Sequence, residues 1–121
     1  MSAFHDLAAI APREVWERIL ARSVHGDRGT LAVVELEPGA HAREHSHDHE
    51  QFGLVLQGTI DFRIGDERRT LEPGALYVIP SNMPHEAIAG PEGTVVVDVF
   101  APVRTEWRDM EPGAQREPRW P

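Results

Sequence analysis

Apolar residues along this chain fall into short runs separated by turn residues. The clearest runs are Leu31–Leu36, Phe52–Leu56, Thr59–Ile64, Ala75–Ile79 and Thr94–Phe100. Val, Ile, Leu and aromatic residues dominate them. Glu37-Pro38-Gly39, Gln57-Gly58, Gly65-Asp66, Glu72-Pro73-Gly74, Pro80-Ser81-Asn82 and Gly90-Pro91-Glu92-Gly93 bound them. Short strands at this spacing, without helices of ~10–15 residues between them, predict an all-β sandwich or barrel. Ala11–Val24 fits two patterns. Val15 and Ile19, with Pro12 in a first turn, would suit a helix. Trp16, Leu20 and Val24 would share one face of a strand that turns at His25-Gly26-Asp27-Arg28-Gly29 and pairs with Thr30–Leu36. That turn chemistry favours a strand from about Val15, after a short helical or irregular lead at residues 3–10. Beyond Trp107 periodicity lapses and three prolines follow, which predicts an extended or partly disordered tail. Trp120 in that tail would pack back on the barrel or on a neighbouring subunit. The expected layout is a lead at 1–14, one barrel at 15–107 and a tail at 108–121.

Composition narrows the function classes. A length of 121 residues fits a single domain. The net charge of −8 argues against nucleic acid, whose binding needs cationic side chains to neutralise phosphates, and against an anionic membrane surface. No stretch approaches the ~20 apolar residues of a membrane-spanning helix. The N-terminal residues lack the basic start and apolar core of a secretory signal, so the expected compartment is the cytoplasm. With no cysteine, disulfides and thiolate ligands are excluded, and a metal would need His, carboxylate or amide donors. The expected partner is a small, anionic molecule.

Histidine supplies the candidate chemistry. Four of the seven histidines, His41, His45, His47 and His49, fall within nine residues. In an extended chain, residues of one parity point the same way, so His45, His47 and Gln51 could converge inside a barrel. A fourth donor must come from elsewhere, and His85, after the turn-rich Pro80–Pro84, is the candidate. The expected cofactor is one divalent transition metal: Zn, Ni, Mn or Fe. His49 has the parity to compete with Gln51, and Glu50 would replace it if the chain bulged there. His41 is expected at the rim, and His5 and His25 in solvated loops.

The spacing Gly39-x5-His45-x-His47-x3-Gln51-x6-Gly58 resembles the first motif of the cupin superfamily, with Gln at the usual Glu. Gly74-x5-Pro80-x-Asn82-x2-His85 is similar to the second, with Asn82 at the usual Gly and Ala89 at the usual Asn. The resemblance spans roughly residues 15–107. It implies a double-stranded β-helix, or jelly-roll barrel, and a homodimer. Three imidazoles and an amide would leave the +2 charge of an ion uncompensated. That favours Lewis-acid chemistry on hydroxyl or carboxylate oxygens over oxygen activation.

A second constellation lies at the end of the last run. Asp98 sits among valines and shares parity with Phe100, so both could face the interior. Burial would raise the Asp98 pKa and a nearby cation would lower it. Arg104 could fork onto a substrate carboxylate, or bridge to Asp98 across the barrel mouth. The stretch Asp98-x-Phe100-x-Pro102-x-Arg104-x-x-Trp107 resembles the ending of the KdgF-type cupins of pectin and alginate breakdown. That likeness implies ring opening of 4,5-unsaturated monouronates, with His45, His47, Gln51 and His85 on the metal and Asp98, Phe100 and Arg104 as active-site residues. A cupin dioxygenase, another isomerase or a non-catalytic binding module are the rival expectations.

Overall fold

Residues 2–121 are described by a computed structural model. A 3-10 turn at Leu7–Ala9 precedes eight strands: β1 (Arg13–Trp16), β2 (Ile19–His25), β3 (Thr30–Leu36), β4 (His41–His45), β5 (Glu50–Ile64), β6 (Glu67–Leu71), β7 (Leu76–Ile79) and β8 (His85–Ala101). One helical turn, α1 (Thr105–Arg108), follows. Every pairing is antiparallel. The second half of β8 lies between β3 and the first half of β5, while its first half lies between β4 and the second half of β5. β7 and β6 extend the two halves of β5, and β2 and β1 extend β3. Two long strands shared by both faces close the sheet into the expected all-β jelly-roll barrel. Among the described residues no helix is long and apolar enough to cross a membrane.

Several boundaries differ from the sequence expectation, each for a local reason. The runs Phe52–Leu56 and Thr59–Ile64 are one strand. Leu56 is an extra residue on β5, between the pairs Val55–Val96 and Gln57–Val95. A one-residue bulge moves the inward positions from odd to even. Thus Gln51, Gly53 and Val55 face in before it and Ile60 and Phe62 after it. Gly58 beside the bulge has φ +73° and lies so close to Gly93 that a Cβ would meet its carbonyl oxygen at 2.0 Å. What reads as a turn there is the corner of a bent strand. Similarly, β8 runs through Gly90–Gly93 without ending. The strand expected from Val15 is a hairpin, because the chain reverses at Glu17-Arg18, where Arg18 takes φ 64°. β4, β6 and α1 are short and polar, and hydrophobic periodicity gives no sign of them.

The inward side chains form one apolar core, including Ile19, Val34, Val55, Ile60, Phe62 and Val96. An ion pair is buried on the outer side of β2 and β3. Arg22 and Glu35 are only 1% and 3% exposed, with Nη1 and Oε2 2.6 Å apart. Lead and tail cover this pair. Arg22 donates to the carbonyls of Ile10 (3.1 Å) and Arg116 (2.5 Å), and the Arg119 N–H donates to Glu35 (3.0 Å). The tail is extended, as its prolines predict, but tied down. Trp120 lines one groove with Phe4, Leu7, Ile10, Leu31 and Val33.

Candidate metal centre

The histidines meet at one end of the barrel, and the route differs from the one parity suggested. His45 ends β4, His47 lies in the following turn, and Gln51 stands in β5. No single extended segment carries them. The turn is clasped by the Pro80–Pro84 segment, where the Asn82 N–H donates to the His47 carbonyl (2.7 Å) and Ser81 Oγ to the Asp48 carbonyl (2.6 Å). His85 opens β8 directly opposite His45. The rings of His45 and His85 are 4.2 Å apart, and those of His47 and His85 4.9 Å. Ligand atoms of His45, His47 and His85 all lie within 4.8 Å of one another.

These residues fit a metal ion. Each Nδ1 sits on a backbone carbonyl: His45 on Arg43 (2.6 Å), His47 on His49 (3.0 Å) and His85 on Met83 (2.8 Å). Such bonds put the proton on Nδ1 and leave the Nε2 lone pair as a donor. His85 Nε2 is buried with no hydrogen-bond partner among the described residues, a costly state that an ion would relieve. Burial lowers the pKa of all three imidazoles, and that of His85 falls to about 4. They therefore stay neutral and able to bind. Gln51 is buried, with Oε1 3.1 Å from His47 Nε2. Glu50 is exposed and points away from this point.

The remaining histidines take other places. His41 is exposed and pairs with Glu86. His49 is buried, with Nε2 3.3 Å from the Val103 carbonyl, and its own carbonyl holds His47. His25 departs from the solvated loop expected for it. It ends β2 and is half-buried, because Ser23 (3.1 Å) and Thr30 (2.8 Å) hold its ring.

Asp98, Phe100 and Arg104 line the same cavity as His45, Gln51 and His85. The cavity is otherwise apolar, with Trp16, Phe62, Tyr77 and Trp107 among its walls. Asp98 is 5% exposed. It accepts a 2.6 Å hydrogen bond from the Tyr77 hydroxyl, and the nearby Gln51 amide also favours its charged form. Burial raises its pKa to about 6, while those two groups and the Arg104 charge pull the other way. Arg104 does not bridge to Asp98. Its Nε donates to Glu106 (2.9 Å), and its guanidinium lies 4.7 Å from the Phe100 ring centre and 4.1 Å from that of Trp107. Phe100 is fully buried among His47, His49, Trp107 and Arg104. Sequence reasoning missed Tyr77, although a lone tyrosine in an apolar run signals a buried hydroxyl that needs a partner.

Comparison with known proteins agrees with this architecture. The cupin domain family model matches residues 32–100. The pectin degradation protein KdgF of Dickeya dadantii is 32% identical over 78 residues, covering 64% of this chain and 71% of that protein. H2HPP isomerase of Bacillus subtilis is 33% identical over 66 residues, covering 54% of this chain but 28% of that protein. The structure of KdgF from Halomonas sp. superposes with a TM-score of 0.80 at 28% identity, covering 88% of this chain and 98% of that one. With the barrel, the two motifs and these relatives in agreement, the chain belongs to the cupin family and is a KdgF-like member of it.

Proposed function

We propose that this cupin is a metal-dependent enzyme that opens the ring of a small 4,5-unsaturated uronate and carries the product to the linear keto acid. One observation carries the reading: an apolar cavity lined by His45, His85 and Gln51, beside which His47 completes a cluster of three imidazoles, also holds a buried carboxylate, Asp98, and a cation, Arg104. Similarity to KdgF, named for pectin degradation, supports the substrate class. His45, His47, His85 and Gln51 would hold the ion, which when bound would polarise a hydroxyl or carboxylate oxygen.

The chain's own residues account for orientation and proton movement. Arg104 binds the uronate carboxylate, its plane held by Phe100 and Trp107. Ring opening breaks the bond between C1 and the ring oxygen and moves the C1 hydroxyl proton to that oxygen, giving an aldehyde at C1 and an enol at C5. Ketonisation then removes the enol hydroxyl proton and adds one at C4. The formula is unchanged and nothing is oxidised. Asp98 carries that proton, and the apolar walls keep bulk water from competing.

Protein loaded with Zn, Ni, Mn or Fe should deplete the absorbance of unsaturated galacturonate or mannuronate. Asp98→Ala should lose about 10²–10⁴-fold in kcat, the usual span for an acid–base group. No depletion with any of the four metals would sink the reading. A second reading is another small-molecule isomerase of cupin type, and similarity to H2HPP isomerase favours it. Oxygen uptake with Fe(II) would point to a dioxygenase, and tight ligand retention without turnover to a binding module.

A further inference from the structure

β5 pairs on one side with β7 and on the other with β8. In this register Gly53 stands between Tyr77 and Asp98. A glycine inside a strand weakens it and often marks the close approach of another group. Here that group is the Tyr77 ring, which lies where a Gly53 side chain would be: a Cβ would meet ring atoms at 1.9 and 2.2 Å. Across that gap the Tyr77 hydroxyl reaches Asp98 Oδ1 at 2.6 Å. Tyr77, Gly53 and Asp98 are all buried.

Gln51 is two residues from Gly53 on the same face, diagonal to Asp98. Distances of this kind lie within reach of long side chains. Its side chain approaches Asp98 closely enough to favour the charged carboxylate, and its Oε1 lies 3.1 Å from His47 Nε2. An ionised carboxylate only accepts hydrogen bonds, so the group that Gln51 turns toward Asp98 must be the NH2. The carbonyl oxygen is thereby directed at the imidazoles.

We propose that Tyr77, Gly53 and Asp98 form a positioning device that holds the Gln51 amide oxygen-inward, and that Asp98 is what requires an amide at position 51. A carboxylate at position 51 would set two acceptor-only, like-charged groups against each other in a buried site. Exchanging both residues restores the pairing with its polarity reversed. The amide introduced by Asp98→Asn would donate through its NH2, and the carboxylate introduced by Gln51→Glu would accept. The inference rests on the metal-centre part of the proposed function and not on the uronate reaction.

The test is a double-mutant cycle on the metal-free protein at pH 8: wild type, Gln51→Glu, Asp98→Asn and the double variant, each followed by thermal unfolding. In the wild-type background Gln51→Glu should lower Tm by about 5–10 °C. In the Asp98→Asn background it should shift Tm by no more than about 2 °C. Equal losses in both backgrounds would overturn the proposal. If Gln51→Glu alone does not fold, a folded double variant supports the proposal, and an unfolded double beside a folded Asp98→Asn overturns it. Tyr77→Phe keeps the ring and removes the hydroxyl. Its Ni(II) affinity should fall about tenfold, as for other residues that orient ligands, and an unchanged affinity counts against Tyr77. A wild type that takes up no Ni(II) would count against the metal-centre reading, while the Tm cycle still decides the pairing.

Discussion

His85 shows how a single residue joins the fold to the chemistry. Its Nδ1 is fixed on the Met83 carbonyl and its Nε2 is buried without a partner among the described residues, so its neutral form is held ready for a ligand. With a folded pKa of about 4 against an ordinary 6.5, the unfolded chain takes up a proton first as pH falls. Stability from this group is complete above pH 6.5 and is lost on acidification toward pH 4. His45 and His47 are lowered too and act in the same direction. Asp98 opposes them. Its raised pKa means that the folded state holds the proton between about pH 6 and 3.8, so acidification through that window stabilises. Three imidazoles should outweigh one carboxylate. The urea midpoint of metal-free protein should fall from about pH 7 to about pH 5, and more steeply in Asp98→Asn. A midpoint that rises over this range would contradict the assignment.

Arg104 is the second residue to test alone. Its guanidinium lies against Phe100 and Trp107, with Nε on Glu106. Lysine keeps the charge but loses the planar fork. Arg104→Lys should raise KM for an unsaturated uronate about tenfold or more with a smaller change in kcat, an energy near that of one charged hydrogen bond. Steady-state kinetics reads the difference.

At the level of elements, the cupin motifs and the apolar runs made the barrel legible, because its core strands are rich in Val, Ile and Phe. β4 and β6 were not, since neither contains a buried residue, and polar edge strands carry no period-2 signal. The convergence of His45, His47 and Gln51 could be anticipated, but not its cause. Parity treats the segment as one strand, whereas a turn clasped by Asn82 brings the residues together. The Arg22–Glu35 pair was invisible for another reason. Charged residues normally mark a solvated face, and only the returning lead and tail bury these two. Removing one partner from a buried pair leaves an uncompensated charge and costs about 3–5 kcal/mol. Arg22→Leu should therefore destabilise by that order in urea unfolding and expose residues 111–121 to limited proteolysis. Unchanged stability would show that the strap is incidental.

On the scale of the whole molecule, the sheet carries an apolar outer face across β3, β8, β5 and β7. Leu31, Val99, Phe52 and Val78 form one row, and Val97, Leu54 and Leu76 the next, beside the buried Val33. Leu76 and Val78 are 75% and 53% exposed, and Phe52 is 41% exposed. Contiguous apolar surface of this kind commonly marks an interface. We propose that it takes a second copy of the chain, in keeping with the homodimer expected from the family resemblance. Light scattering should give twice the 13.5 kDa chain mass, and Val78→Asp should give a monomer that keeps its metal. A monomeric wild type would contradict that assembly.

The central claim is that a neutral centre of three histidines and one glutamine serves ring opening of an unsaturated uronate, and metal add-back tests it most directly. Protein stripped by chelation should leave the absorbance of 4,5-unsaturated galacturonate intact, and one equivalent of divalent ion per chain should restore its depletion. Full activity in the stripped protein, or none at one equivalent of any of the four ions, would contradict the account.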